Sequence, residues 1–228
     1  METIYDRLGL ELCQKLIDSG SFNTEQLRLL SDGLRDTTRV LDLGIGLGNL
    51  AKILIEQGKF VYGVDNRQDS LDYAKRKVGP QGEGKLFLFE KDARKLNFHN
   101  QFDGASCVSN FQEREYFDPV FSGVYRALKK NGYFAMTGLE GSQMKRIRRF
   151  REEEAKRAAL EGRLILTPEE IKKLKREDEL NKEAGTKDSS EILCSKIALD
   201  ALQRNGFKAL RNDKFYHDAG YFILAQRD

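Results

Sequence analysis

Residues Val40–Asn49 read V-L-D-L-G-I-G-L-G-N, an apolar run that ends in three alternating glycines. The apolar residues predict a β-strand, and Leu50–Gln57 after them has the spacing of an amphipathic helix. Gly44, Gly46 and Gly48 allow positive φ and let a ligand approach main-chain atoms that a Cβ would block. The stretch therefore predicts a nucleotide-binding turn. A glycine turn that only packs a strand on its crossover helix is the alternative.

The composition is that of an ordinary globular protein. The 228 residues, 39% hydrophobic and 33% charged, suffice for one α/β domain, and a net charge of +3 does not by itself indicate a nucleic-acid partner. Cys13, Cys107 and Cys194 form no C-x-x-C pair, which argues against a zinc site and a disulfide framework. No run approaches the roughly 18 apolar residues of a membrane span. We expect a single domain over residues 1–228 in a reducing, cytoplasmic compartment, with no metal.

Short apolar runs alternate with helical patterns from Val40 onward, which predicts a parallel sheet with crossover helices. The last two runs, Phe207–Leu210 and Tyr221–Ala225, flank a polar turn and predict a terminal hairpin. The fold class is therefore α/β, a Rossmann-like three-layer sandwich with about seven mostly parallel strands and an antiparallel last strand. The predicted strands are Val40–Leu43, Phe60–Val64, Lys85–Phe89, Gly104–Val108, Gly132–Thr137, Phe207–Leu210 and Tyr221–Ala225.

The helical patterns fill the gaps between these strands. Ser70–Val78 and the segment around Phe121–Leu128 each present one apolar face, and Asn131-Gly132 is expected to end the second helix. A last helix is predicted over Ile192–Leu202, ended by Asn205-Gly206.

Two segments lie outside this predicted core, which covers residues 37–138 and 191–228. Tyr5–Gly33 has helical periodicity and predicts two helices within residues 1–36. Leu139–Ser190 is a highly charged insertion in which Thr167-Pro168-Glu169-Glu170 forms a capping box, and two helices are expected there. Long insertions at a ligand edge are usually lids or partner surfaces, and disorder is the alternative.

Two carboxylates follow the second and third strands. Asp65 ends the second strand about 20 residues after the glycine turn, where one carboxylate can accept from both hydroxyls of a ribose. Asp65 could instead cap the next helix, but Asp69 or Ser70 is better placed for capping. Asp92-Ala93 follows the third strand and offers a carboxylate for the exocyclic amine of an adenine.

Taken together, the stretch Asp42–Asn49 with Asp65 and Asp92-Ala93 resembles the ordered motifs of the class I S-adenosylmethionine-dependent methyltransferases. The resemblance implies that the glycines lie under the cofactor, that Asp65 holds its ribose, that Asp92 and the Ala93 amide read its adenine, and that Asp42 lies below its methionine moiety. The residues implied to bind S-adenosylmethionine are Asp42, Gly44, Ile45, Gly46, Gly48, Asn49, Asp65, Asn66, Asp92, Ala93, Ser109 and Asn110.

A nicotinamide dehydrogenase is the main rival within the same fold. Tyr125 with Lys129, and Tyr73 with Lys77, form Tyr-x-x-x-Lys pairs like those of the short-chain dehydrogenases. We reject both pairs, because the glycine spacing differs from that family and Asp42 has no function in a dehydrogenase.

Methyl transfer from a sulfonium mainly requires aligned reactants, so it does not demand a general base. The catalytic candidates are His217 in the predicted terminal turn, and Glu113 and Tyr116 (with Glu115) just after the fourth strand, whereas His99 is expected to be a solvated surface residue.

The methyl acceptor is expected to be a small molecule. Ser109-Asn110-Phe111-Gln112 lacks the Asp/Asn-Pro-Pro-aromatic signature that the resembling enzymes use on base amines or amide nitrogens. Lys145–Arg151 is the basic concentration of the chain, and recognition of RNA or protein through it is the alternative, although Glu152, Glu153 and Glu154 can balance it. A non-catalytic, cofactor-binding scaffold is a lesser alternative.

Overall fold

The computed structural model describes residues 4–108, 114–183 and 194–228. A seven-stranded sheet has the order β3-β2-β1-β4-β5-β7-β6. Strands β1 to β5 are parallel, whereas β7 is antiparallel to both β5 and β6, so the predicted mixed sheet and terminal hairpin are confirmed. The strands are β1 (Arg39–Leu43), β2 (Phe60–Asp65), β3 (Leu86–Glu90), β4 (Phe102–Val108), β5 (Leu128–Leu139), β6 (Phe207–Phe215) and β7 (Gly220–Arg227).

Helices cover both faces of the sheet. One face packs against α3, α4 and α5, around Val40, Val61 and Ala135. The opposite face packs against α6 and α9, around Leu41, Phe102 and Phe134. These three layers confirm the Rossmann-like class. The helices are α1 (Ile4–Leu8), α2 (Leu10–Ser19), α3 (Ser21–Gly33), α4 (Asn49–Glu56), α5 (Gln68–Val78), α6 (Phe117–Ala127), α7 (Met144–Leu160), α8 (Pro168–Glu183) and α9 (Ser195–Arg204).

The N-terminal segment forms three helices, so the prediction of two is wrong. Gly9 has φ 85°, and Gly20 is extended with φ −116° and ψ 152°. Neither conformation continues an α-helix, so the chain turns at both glycines.

The insertion forms the two predicted helices, α7 and α8. The capping box is confirmed, because the Glu170 N–H donates to Thr167 Oγ1 (3.2 Å) and the Thr167 N–H donates to the Glu170 carboxylate (2.7 Å). Residues 184–193, which include the predicted start of the last helix at Ile192, lie outside the described residues.

The predicted end of α6 and the predicted start of β5 are wrong. Helix α6 ends at Ala127 rather than at Asn131-Gly132, because Leu128 already pairs with Phe102 as the first residue of β5. A register shift between this pair and the next one, Gly104 with Tyr133, accommodates Asn131 at φ 62°.

The terminal hairpin is longer than predicted. Strand β6 continues through the predicted polar turn as far as Phe215, with a register shift between Ala209 and Arg211. Because β6 is an edge strand, the polar side chains of residues 211–214 can point to solvent without breaking the ladder.

The connection from β3 to β4 contains no α-helix; its regular structure is one 3-10 turn, Ala93–Lys95. Among the described helices, none has both the length and the apolar character needed to cross a bilayer.

Candidate functional site

The order of the strands places a crevice outside the carboxyl ends of β1 and β4. From β1 the chain proceeds outward to β2 and β3 on one side, and β4 and β5 lie on the other. Open α/β sheets bind ligands where the strand order reverses in this way. The glycine turn follows β1, so the fold puts the predicted nucleotide-binding turn at this crevice.

The glycines of the turn share a positive φ, but the space around Gly46 differs from the space around Gly48. Gly44, Gly46 and Gly48 all have positive φ, of 60°, 51° and 75°. A Cβ on Gly48 would lie 2.9 Å from the Cβ of Ala74, so this glycine permits close packing of α4 on α5. A Cβ on Gly46 would meet the Tyr5 hydroxyl at 3.5 Å and no closer atom. The open side of Gly46 therefore faces Tyr5 of the N-terminal helix α1.

Ile45 lies in the core rather than in the crevice. Its side chain is buried and fills the space above Gly63, where a Cβ would come within 2.4 Å of Ile45 Cδ1. Its N–H donates to the carbonyl of Val64 (3.0 Å), which fixes the turn against β2. At the predicted cofactor site Ile45 can thus offer main-chain atoms but not its side chain.

Asp65 holds the glycine turn in place. One oxygen accepts from the Gly46 N–H (2.9 Å), and the other accepts from the Arg67 N–H (3.1 Å). Burial raises the pKa of Asp65, and these backbone hydrogen bonds oppose the rise. The half-buried carboxylate thus lies at the mouth between β1 and β2, the position that the sequence predicted for ribose binding.

The expectation that Asp69 or Ser70 caps α5 is wrong. The helix begins at Gln68, and its N-cap residue, Arg67, makes no side-chain capping bond. Asp69 instead accepts from the Arg67 guanidinium (2.6 Å) and from the Ser70 N–H (2.8 Å).

Asp42 is a buried carboxyl beneath the turn. Only 1% of it is exposed, and its Oδ1 accepts from Ser106 Oγ (2.7 Å) on β4. Burial raises the pKa of Asp42 to about 7, the nearby charge of Asp65 adds to the rise, and the Ser106 hydroxyl opposes it. Asp42 can therefore change its charge near neutral pH.

Asp92 follows β3 and is paired with Arg94. The Arg94 side chain donates Nε to both carboxylate oxygens (3.0 and 2.9 Å) and Nη2 to one of them (2.6 Å). This pairing lowers the pKa of Asp92. The Arg94 guanidinium also lies 4.9 Å from the centre of the Tyr116 ring, so Asp92, Arg94 and Tyr116 form one group at the end of β3. Ala93, next to Asp92, is half-buried against the core.

Asn49 and Asn66 are two of the residues that the resemblance implies to bind the cofactor. The Asn49 side chain exchanges hydrogen bonds with Gln14 of α2 (3.2 and 3.3 Å) and accepts from Lys77 Nζ of α5, so it ties three helices together. Asn66 is exposed. Ser109 and Asn110 lie outside the described residues.

The structure places His217 against the insertion. Its ring stacks on Phe150 of α7 at 4.6 Å, in a turn where Tyr216, His217 and Asp218 all have positive φ. Four strand spacings separate β6 from β1, which is about 19 Å. His217 is therefore remote from the glycine turn. Of the other catalytic candidates, Tyr116 lies under Arg94, Glu115 is exposed, and Glu113 is outside the described residues.

The two Tyr-x-x-x-Lys pairs have structural explanations. Lys129 is in β5, so it does not share a helix with Tyr125, whose ring packs edge-on against Phe207 at 5.3 Å. The Tyr73 hydroxyl donates to Glu11 (3.2 Å) of the N-terminal segment.

The N-terminal helices and the insertion together cover the glycine turn. Leu47 of the turn packs in one buried cluster with Leu8, Leu12 and Cys13 of the N-terminal helices, and Leu166 and Leu174 of the insertion join it. Tyr5 belongs to the same cluster. Burial raises the pKa of Tyr5, and the charges of Cys13 and Asp65 add to the rise. Nothing in the sequence around Tyr5 marked it as a neighbour of Gly46.

Ion pairs fasten this cover. Arg7 of α1 donates Nε (2.5 Å) and Nη2 (2.9 Å) to Glu177 of α8. Arg67 pairs with Asp6 of α1 (2.6 Å), and Lys15 of α2 pairs with Glu170 (2.8 Å). The N-terminal helices and α8 thus close over the crevice as one unit.

The strand order and the glycine turn make a Rossmann-like fold, and parts of the chain are similar to known proteins. A family model described as a methyltransferase domain matches residues 40–132. A Geobacillus sp. (strain WCH70) protein with a provisional methyltransferase name is 31% identical over 114 residues, 47% of this chain and 44% of the relative. The chain thus spans less than half the length of that relative.

Solved structures share the fold over most of the chain. The PH0226 protein of Pyrococcus horikoshii OT3 superposes with a TM-score of 0.65 at 21% identity, covering 92% of this chain and 94% of that one. The N-methyltransferase NodS of Bradyrhizobium japonicum WM9, crystallised with S-adenosyl-L-homocysteine, superposes with a TM-score of 0.63 at 9% identity, covering 95% and 96%. The chain thus has the fold of these structures, and its residues 40–132 match the methyltransferase-domain model.

Proposed function

We propose that this chain transfers a methyl group from S-adenosylmethionine to a small molecule. The observation that carries the proposal is the pairing of the Gly46 N–H with the Asp65 carboxylate at the carboxyl ends of β1 and β2. A family model for methyltransferase domains matches the same segment. A carboxylate and a glycine main chain at this point of an α/β sheet suit a ribose and its attached groups.

The described residues fit the cofactor by their chemistry. Asp65 offers acceptor oxygens to two hydroxyls, and Asp92 with the Ala93 N–H offers an acceptor and a donor to an adenine edge. Asp42, beneath the turn, offers negative charge to the cationic part of the cofactor once it ionises. We assign these three positions to the ribose, the adenine and the methionine moiety respectively.

The reaction would depend on positioning. When bound at the crevice, S-adenosylmethionine would supply an electrophilic methyl group to the lone pair of the acceptor and would leave as the neutral thioether. The part of the protein is to align the acceptor and exclude water, and alignment of two reactants can lower a barrier by about 7 to 11 kcal/mol. The cover formed by α1, α2 and α8 would do this over the crevice.

The surroundings of the basic run favour a small acceptor over RNA or protein. Arg146 lies over Phe150 (5.4 Å), Arg151 lies over Phe22 (4.6 Å), and Arg149 pairs with Glu153 (2.9 Å). These arginines are engaged within the chain. Phosphates of RNA or carboxylates of a protein partner would have to compete with these contacts.

The test of this function measures cofactor binding and methyl transfer together. Asp65→Asn keeps the size of the side chain and one carbonyl oxygen but removes a charged acceptor, so binding of S-adenosylhomocysteine should weaken about tenfold or more in calorimetry. Asp72→Asn is the matched control, because Asp72 is an exposed acidic residue on the adjacent helix. Equal affinities for the two variants would contradict the ribose assignment.

Transfer of labelled methyl from S-adenosylmethionine into a fractionated cell extract identifies the acceptor class. We expect label in the small-metabolite fraction, and less of it with Asp65→Asn. Label confined to RNA or protein would reject the small acceptor, and the absence of any label above the background would favour a non-catalytic scaffold.

A further inference from the structure

One sheet face is left partly open at the β3 edge. The β3–β4 connection lacks an α-helix, and its Leu96 packs beside Gly123 of α6, over the middle of the sheet. Parallel sheets normally carry helices on both faces. Here the outer strands β2 and β3 keep large aromatic side chains in contact with solvent, since Phe60 is 38% and Phe87 is 36% exposed.

The strand register arranges these side chains in rows. In the first row, Arg39 of β1 pairs with Phe60 of β2, and Lys85, just before β3, lies next to Phe60. In the next row, Tyr62 of β2 pairs with Phe87 of β3. These five residues place three rings and two cations on one surface, which we name the aromatic face.

Two rings of the aromatic face, Tyr62 and Phe87, form a stack with Phe89 of β3. The Phe89 and Tyr62 ring centres are 6.4 Å apart with an interplanar angle of 8°, and the Tyr62 and Phe87 centres are 4.6 Å apart at 21°. Among the residues that the structure describes, β3 is the edge of the sheet and no strand pairs beyond Phe87. A flat ring from a partner can therefore extend the stack.

The charges beside the rings are two cations, Arg39 and Lys85, and one carboxylate, Asp103, which is bound to backbone N–H groups. The Arg39 guanidinium lies 5.0 Å from the Tyr62 ring centre and donates to the Tyr62 hydroxyl (2.9 Å). Lys85 is two residues from Phe87 along the strand, which is about 6.6 Å. Asp103 continues the first row on β4, but its carboxylate accepts from the N–H groups of Thr38 (2.9 Å) and Arg39 (2.7 Å). The face thus suits a partner that combines flat rings with negative charge.

We propose that the aromatic face binds single-stranded nucleic acid, with a base stacked on Phe87 and phosphates near Lys85 and Arg39. Stacking on aromatic side chains beside cations is the usual physical basis of single-strand binding, and it requires unpaired bases. A second copy of the chain fits less well, because it would bring Arg39 and Lys85 against the same cations. A membrane also fits less well, because rings that are little more than a third exposed on a flat sheet cannot insert deeply.

This binding is separate from the proposed methyl transfer. Arg39, Phe60 and Lys85 are at the amino ends of their strands, whereas the glycine turn follows the carboxyl end of β1. A nucleic-acid strand bound to the aromatic face tethers the protein to the nucleic acid and does not enter the crevice. The proposal can therefore hold or fail independently of the identity of the methyl acceptor.

The test uses the full chain and a short fluorescein-labelled oligouridylate, followed by anisotropy at several salt concentrations. Phe87→Leu keeps apolar surface but removes the π face, so affinity should fall about tenfold, whereas Phe87→Tyr should retain it. Lys85→Gln should weaken binding and lower its salt dependence. Leu210→Ala and Lys208→Gln, exposed positions on the opposite edge strand β6, are matched controls and should bind like the original chain.

Three results of the anisotropy experiment would overturn the proposal. They are no binding of the oligouridylate at low salt, equal affinity of Phe87→Leu and the original chain, and a loss of affinity in the β6 controls as large as that in Phe87→Leu. Self-association in sedimentation that Phe87→Leu abolishes would identify a second copy as the partner, and binding to anionic vesicles without binding to the oligonucleotide would identify a membrane. Melting temperatures of the variants exclude misfolding as the cause of a loss.

Discussion

At the scale of single residues, the buried carboxyl of Asp42 couples the stability of the fold to pH. Its folded-state pKa is raised from 3.8 to about 7, so the folded chain holds this proton more tightly than the unfolded chain does. The resulting stability is fully present below about pH 4 and is lost as the pH rises towards 7. The same ionisation supplies the negative charge that a cationic ligand above the turn would require.

We predict that Asp42→Asn removes this dependence. Between pH 5 and pH 8 the original chain should lose on the order of 2 to 3 kcal/mol of unfolding free energy through this one group, and the variant should not. Urea denaturation at the two pH values measures the difference, and calorimetry should show weaker cofactor binding by the variant at pH 8. If the unfolding free energies of the two proteins changed equally with pH, the prediction that Asp42 titrates while buried would be refuted.

At the scale of elements, the cover over the glycine turn depends on a nearly buried ion pair. Glu177 of α8 is 8% exposed and accepts two hydrogen bonds from Arg7 of α1. Breaking such a pair leaves an uncompensated charge, which costs more than the loss of an exposed pair. The two helices should therefore separate more readily when either partner is replaced.

Glu177→Gln should speed the release of S-adenosylhomocysteine several-fold and lower the melting temperature only modestly. The physical reason is that α1 and α8 must part for a ligand at the turn to leave, whereas the sheet does not depend on them. Stopped-flow displacement gives the rate. Glu169→Gln is the matched control, because Glu169 is exposed on the same helix and pairs with Lys173 at 3.6 Å. Identical release rates would show that α1 and α8 do not close the site.

The same elements show what local sequence could and could not predict. The strands β1 to β4 and the second half of β5 are short apolar runs, so each could be located from its own residues. The second half of β6 could not, because the polar residues 211–214 read as a turn and only their edge position permits a strand. The Asp65 position was predictable from spacing, but its bond to Gly46 and the approach of Tyr5 join distant segments and have no local signal.

At the scale of the whole molecule, the insertion divides into a part that belongs to the core and a part that only covers it. Helix α7 buries Ile147, and its Glu154 accepts from the Tyr216 hydroxyl (2.9 Å) and the Ser21 N–H (3.1 Å). Helix α8 contacts the remainder of the described chain through its ion pairs to α1 and α2 and through apolar residues such as Leu174. The insertion therefore does not behave as one removable lid.

Replacing residues 163–190 by a short flexible linker should leave a folded chain, because the linker removes α8 but spares α7 and the sheet. We expect cofactor release to quicken, as with Glu177→Gln, and selectivity among methyl acceptors to broaden. Extending the deletion to residues 144–190 should also destabilise the fold by several kcal/mol, since it removes the buried Ile147 and the partner of Tyr216. Thermal unfolding and release rates measured on both deletions distinguish the two parts. Similar melting temperatures for the two deletion variants would show that α7 is as peripheral as α8, and the cover would then comprise the entire insertion.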